Sequence, residues 1–195
     1  MLRIVLNYKP LLWVILSVPA LMMLYGYGSG RADAIDLLHP SGEFSARLMI
    51  LAMMIGPLVA IFGAKGWLIW LTQRRRSLGV AAFAYALLHL VFYIIDMETL
   101  KDIMAEFWAL GIWTGWVAFV LMLIPAVISN DGAMRALRRN WKRIQQLAYG
   151  AAVLTLVHWI FIDNDLGPAL VHFVPLALLQ AARFLKPFIR SPQGA

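Results

Sequence analysis

The sequence predicts an all-α integral membrane protein, a single bundle of six transmembrane helices spanning residues 1–195. Composition is the first reason: 62% of the 195 residues are hydrophobic, only 14% are charged, and the mean hydropathy is +0.76, outside the range of soluble domains. The second is that apolar runs recur at the length a bilayer demands, ~20 residues for a helix. The third is that the segments between those runs alternate in charge.

In order, Lys9 is followed by an apolar run over residues 10–28. Ala32-Asp33-Ala34 resembles a small-residue cleavage site, but the run is longer than a signal core and Gly26, Gly28 and Gly30 intervene. It is therefore read as a retained first span. Residues 29–45, with Asp33, Asp36, His39-Pro40 and Glu43, read as a polar loop in which Ser41 to Glu43 cap the next helix. The second span covers 46–64 and is expected to kink at Gly56-Pro57.

A short basic connection over 65–76 carries Trp67 and Trp70 at the interface. The third span, 77–95, leads to an acidic loop with Asp96, Glu98, Asp102 and Glu106. The fourth covers 107–128, the basic loop 129–143 follows, and the fifth covers 144–162. Asp163-Asn164-Asp165 turns the chain into the sixth span, 168–185.

Charge sets the expected orientation. Of the 17 Lys and Arg, all but Arg31, Arg47 and Lys101 fall on the side of the two termini, and of the acids only Asp131 joins them. The bias places both termini in the cytoplasm. It also accounts for the formal net charge of +7 without nucleic acid. Cysteine is absent, which removes disulfides, iron–sulfur clusters and thiolate metal sites. No phosphate-cradling glycine loop, nucleophile elbow or pair of catalytic carboxylates appears.

The remaining chemistry lies in histidine, which is costly inside a hydrocarbon-length helix unless something occupies it. His89 stands about 20 Å along the third span beyond Arg76, at ~1.5 Å per residue, and His158 at a similar distance beyond Arg143 on the fifth. His172 falls in the same outer tier on the descending sixth span. A lone membrane histidine can simply hydrogen-bond a neighbouring carbonyl, but a matched pair on parallel helices points to metal or haem ligation. Without cysteine or acids in the membrane cores, a bis-imidazole haem between His89 and His158 is the reading, with haem iron as the metal. His172 keeps open a third-ligand zinc site, a role as alternative ligand or haem neighbour, or ordinary packing. His39, beside Pro40, reads as a turn or interface residue. Met49, Met53, Met54 and Met122 read as packing, and Trp159 as a residue that could contact a porphyrin.

An ordered series of motifs carries a resemblance over about residues 40–185. It comprises Ser41-Gly42, Gly56-Pro57, Arg75-Arg76-x-Leu78-Gly79, Leu87-Leu88-His89-Leu90, Ser129-Asn130, Leu137-x-x-x-Trp141 and Val157-His158-Trp159. In these the chain resembles the ferric-reductase-like transmembrane family, in particular the branch of haem-binding membrane subunits serving bacterial periplasmic methionine-sulfoxide reductases. The resemblance implies one b-type haem held by His89 and His158 in a bacterial inner-membrane protein. It implies electrons taken from a cytoplasmic flavin reductase or the quinone pool and passed to a periplasmic molybdenum-containing reductase. The chain itself would be an electron-transfer subunit of an oxidoreductase system, since it reaches Ala195 without flavin or nicotinamide domains.

One departure stands out. The family's Trp-x-x-Leu-His pattern reads Trp141-Lys142-Arg143-Ile144-Gln145 here. Glutamine is a poor haem ligand, so no second, inner haem is expected, and FMN could take that tier. Arg75 and Arg76 are candidates for a haem propionate or a flavin phosphate, against their reading as positive-side anchors. The rival reading is a haem-free six-span transporter or assembly scaffold, which has no need of imidazoles at equal depth.

Overall fold

A computed structural model describes residues 9–189, and among these every regular element is helical. The helices are α1 (Lys9–Gly28), α2 (Ala34–Phe62), α3 (Gly66–Asp96), α4 (Leu100–Glu106), α5 (Leu110–Val127), α6 (Asp131–Leu137), α7 (Arg139–Gln145), α8 (Leu147–Asp163) and α9 (Leu166–Ile189). Six stretches are long and apolar enough to cross a membrane: Pro10–Gly28, Ala34–Phe62, Gly66–Asp96, Leu110–Val127, Arg139–Asp163 and Leu166–Leu185. The charges of Arg3 and Arg190 and the side chains of Lys9 and Lys186, counted above on the terminal side, lie outside the described residues.

The core is built from two helix pairs. α2 packs along α3, and α5 along α8; α9 lies against α2, and α1 borders α3. Small residues let the α2–α3 backbones approach: Ala46, Ala81 and Ala82 are buried, and Ser45 donates its hydroxyl to the Ala82 carbonyl at 2.9 Å. The α5–α8 pair uses Gly111-x-x-x-Gly115, with Ile162 and Phe161 of α8 seated against Gly111. Outward faces stay apolar, as with Val14, Leu21, Val120, Val153, Val171 and Leu178, which suits contact with lipid tails.

Tyr85 anchors α1. Its hydroxyl donates to the Leu16 carbonyl at 2.8 Å and accepts from the Ala20 amide at 3.0 Å, so it stands inside the backbone ladder of α1 next to Pro19. The ring is stacked on Phe44 of α2, with centroids 5.3 Å apart.

Several connections differ from the sequence expectation. The loop expected over 29–45 is mostly helix, because α2 starts at Ala34 behind the N-cap Asp33, whose amide donates to the Asp36 carboxylate at 3.0 Å. An acid in the first turn also suits the positive end of the helix dipole. Ser41 is therefore no cap; it is buried inside α2 with its hydroxyl on the Leu37 and Leu38 carbonyls. The basic connection 65–76 is likewise the beginning of α3. Within it Arg74 stays buried by donating to the Trp70 carbonyl and lying over the Trp70 ring, 3.9 Å from its centroid. The acidic loop holds the short helix α4, N-capped by Thr99, which accepts from the Asp102 amide. α2 ends at Gly63, whose φ of +81° favours a residue without Cβ, and its amide donates back to the Val59 carbonyl.

Alternating helix direction gives the bundle two ends. One carries the α1–α2, α3–α5 and α8–α9 turns with most of the acids, and the other carries Arg74 to Arg76 and α6–α7 with most of the described bases.

Candidate functional site

Between the α2–α3 and α5–α8 pairs lies a cavity of about 420 Å³ that reaches the acidic end. Its walls are mostly apolar, including Leu38, Ala86, Ile112, Phe119, Met122 and Ile162. His89 of α3 and His158 of α8 enter it from opposite sides. Their ring centroids are 6.0 Å apart and their planes cross at 85°.

Each ring is held by the helix paired with its own. His89 Nδ1 lies 2.9 Å from the Leu38 carbonyl of α2, and His158 Nδ1 lies 2.6 Å from the Gly111 carbonyl of α5. A carbonyl only accepts, so Nδ1 carries the hydrogen in both and Nε2 keeps a lone pair. Among the described residues neither Nε2 has a hydrogen-bond partner. Two imidazoles thus stand ready as ligands, each oriented through its other nitrogen by a backbone acceptor.

The spacing fits a metal between them. Imidazole nitrogens bind transition metals at about 2 Å, which places the centres of two rings on opposite sides of one ion about 6 Å apart. A mostly apolar cavity of this size, lined by both histidines, is in the range that holds a cofactor-sized ligand. Among the described residues no group of three or more His, Cys, Asp or Glu is arranged to hold a metal ion.

His172, the third histidine of the outer tier, is spoken for elsewhere. Its Nδ1 donates to the Pro168 carbonyl at 2.7 Å, and its Nε2 accepts from Arg47 Nε at 3.1 Å. The ring stacks on Trp159, with centroids 5.1 Å apart and 29° between planes. Trp159 does line the cavity and donates its indole N–H to Asp163 at 2.7 Å. His39 is not a loop residue. It sits on α2 and lines the cavity's acidic end, 3.8 Å from Asp163 and 4.0 Å from Glu43, while Glu43 is also paired to Arg47.

Arg75 and Arg76 lie at the opposite end of α3 and do not line the cavity. Arg76 pairs with Asp131, and Arg75 Nη1 lies beside Gly56. Gln145 donates its amide to the Pro125 carbonyl at 3.1 Å and to the Ser129 hydroxyl at 3.2 Å. Trp141 donates to the Ile128 carbonyl at 3.0 Å. These two side chains fasten α7 to the end of α5.

Sequence reasoning missed Thr114 and Gly115. A Cβ on Gly115 would come within 2.6 Å of His158 Nδ1, and one on Gly42 within 3.1 Å of His89 Nδ1. The signal was present in the chain: Thr114-Gly115 on α5 echoes Ser41-Gly42 on α2, each one spanning helix ahead of a histidine.

The description "Ferric reductase like transmembrane component" matches residues 41–159, a stretch that contains both facing histidines. Among curated proteins, the heme-binding subunit MsrQ of a protein-methionine-sulfoxide reductase from Yersinia enterocolitica is 32% identical, covering 91% of this chain and 86% of that protein. The MsrQ heme-binding subunit of Azospira oryzae is also 32% identical, covering 91% and 78%, and that of Xanthomonas campestris is 30% identical, covering 80% and 72%. No solved structure matches the chain. With its six membrane-length helices, it is a multi-pass membrane protein that belongs to the ferric reductase-like transmembrane family.

Proposed function

We propose that this protein is a membrane electron-transfer subunit built around one b-type haem, with His89 and His158 as the axial ligands. The observation that carries the reading is the pair of opposed imidazoles, each with Nδ1 committed to a backbone carbonyl and Nε2 left for iron. The names of the MsrQ relatives, which describe heme-binding subunits, support the same cofactor. A haem held by His89 and His158 would supply a one-electron ferric–ferrous couple.

The protein's own work is then positioning. α3 and α8 hold the imidazoles opposed across the cavity, and α2 and α5 fix their tautomer. The apolar walls would limit water at a bound haem, and Glu43, Asp96, Glu106 and Asp163 line the cavity at the acidic end of the bundle. The Lys/Arg bias makes that end the periplasmic one and puts both termini in the cytoplasm of a bacterial cell, across its inner membrane. Electrons come from a cytoplasmic flavin reductase or from quinol and leave to a periplasmic, molybdenum-containing methionine-sulfoxide reductase.

The haem is single in this account. Gln145 offers an amide already bound to Pro125 and Ser129, and the four histidines of the chain include none near it. Arg75 and Arg76 act as positive-side anchors, and a flavin belongs to the partner reductase rather than to this chain.

The test is a reconstituted electron chain. In vesicles, the ferric protein should be reduced by a quinol, or by NADH with a flavin reductase, and reoxidised by the periplasmic reductase only when methionine sulfoxide is present. Reduction without any reoxidation by that enzyme would remove the proposed acceptor.

A further inference from the structure

The two halves of the site share one construction. On α2 a carbonyl at Leu38 is followed three residues later by the Ser41 hydroxyl and four residues later by Gly42. On α5 the carbonyl is that of Gly111, the hydroxyl Thr114 and the glycine Gly115. Ser41 and Thr114 are both fully buried. Their hydroxyls bond back onto the helix, Ser41 to Leu37 and Leu38 at 2.6 and 2.9 Å, and Thr114 to Leu110 and Gly111 at 2.6 and 2.9 Å. In each half the carbonyl that takes the histidine proton also lies at the longer of the hydroxyl's two contacts, 2.9 Å, and the glycine one turn on lies against the ring.

We propose that Ser41-Gly42 and Thr114-Gly115 are positioning pairs that lock the His89 and His158 planes at right angles to each other across the haem. The inference rests on the haem reading above and goes beyond it, to the rotation of each ligand about its bond to iron. Two contacts on the same ring edge fix that rotation in both halves, and at His89 the Ser41 hydroxyl adds a third, 3.4 Å from Nδ1. The Nδ1 hydrogen bond pulls the edge towards Leu38 or Gly111. The bare Cα of Gly42 or Gly115 lets it approach, since added Cβ atoms would meet His89 Nδ1 and Cε1 at 3.1 and 3.2 Å, and His158 Nδ1 and Cε1 at 2.6 and 2.8 Å. The hydroxyls hold the two carbonyls in place by tying them to the same helical turn. The outcome is the 85° angle between the rings.

The angle has an electronic consequence. Each imidazole donates π density mainly perpendicular to its own plane. Crossed planes therefore raise the two iron π orbitals nearly equally, while parallel planes split them. Ferric iron with crossed ligands gives a highly anisotropic low-spin resonance dominated by one large g value. Parallel ligands give an ordinary rhombic set of three.

The experiment is electron paramagnetic resonance of the oxidised, detergent-purified wild type beside Gly115→Ala, Gly42→Ala and Gly79→Ala, with visible spectra of each. Gly79 serves as the control because nothing lies within 4 Å of an added Cβ there. The expected result is a large-g signal in the wild type and in Gly79→Ala. It should move to smaller g in Gly42→Ala and further in Gly115→Ala. Should Gly115→Ala fail to fold or to bind haem, Gly42→Ala, with its milder contact, decides. A rhombic parallel-plane signal in the wild type, or an unchanged large-g signal in haem-loaded glycine variants, overturns the positioning role while leaving the haem intact. A colourless wild type overturns the functional reading itself, and this inference with it.

Discussion

His158 Nδ1 lies 2.6 Å from the carbonyl of Gly111, on the helix packed beside its own. That contact reverses the usual cost of a polar group in a membrane helix. The carbonyl, which the Thr114 hydroxyl also approaches at 2.9 Å, accepts the imidazole N–H. The ring is thereby aimed, with its other nitrogen left for the cavity that His158 lines. The same relationship between His89 and Leu38 completes the pair.

Replacing His172 by alanine should leave haem content unchanged. Both of its nitrogens are engaged, by Pro168 and Arg47, and its ring stacks on Trp159 without lining the cavity. Loss of two hydrogen bonds, each contributing about 0.5–1.5 kcal/mol, should appear as lower thermal stability in detergent. Haem loss at wild-type stability would restore His172 as a ligand.

Gln145→His tests the single-haem account from the other direction. The variant supplies an imidazole at the start of the fifth span, yet none of the chain's other histidines lies on that stretch. Haem per chain, measured by pyridine haemochrome against protein concentration, should stay at its wild-type value. A doubled ratio would mean that the inner tier keeps a second ligand of another kind.

Tyr85→Phe should loosen α1 without touching the cavity. The variant removes the hydroxyl bridging Leu16 and Ala20, but the Ala20 amide can then close directly on the Leu16 carbonyl. The expected loss is about 1 kcal/mol, nearer a net hydrogen bond than a buried orphan. It should be read as a small drop in unfolding temperature with an unchanged haem spectrum.

Most of the bundle could be read from hydropathy, because lipid imposes one rule on every span. The histidine pair could be read because only two such side chains stand at equal depth on helices running the same way. The course of the chain outside the hydrocarbon could not. Asp36, His39, Pro40 and Glu43 look like loop residues by composition, yet α2 runs through them, since a helix needs no apolar face once it leaves the lipid. That misreading hid His39 from the site. Thr114-Gly115 was passed over for a different reason. In an apolar run a glycine looks like generic helix packing, and only the facing ring reveals what the missing Cβ makes room for. Gln145 was legible as a departure, but its hydrogen bonds to Pro125 and Ser129 needed the fold.

The central claim is that His89 and His158 together hold one haem. Its most direct test is a dithionite-reduced-minus-oxidised visible spectrum of the purified protein beside His89→Ala and His158→Ala, each checked for folding by monodisperse elution. The account predicts a b-type spectrum in the wild type that is lost or strongly diminished in both variants. A colourless wild type after expression with ample haem, or variants that fold and keep the full wild-type spectrum, would contradict it.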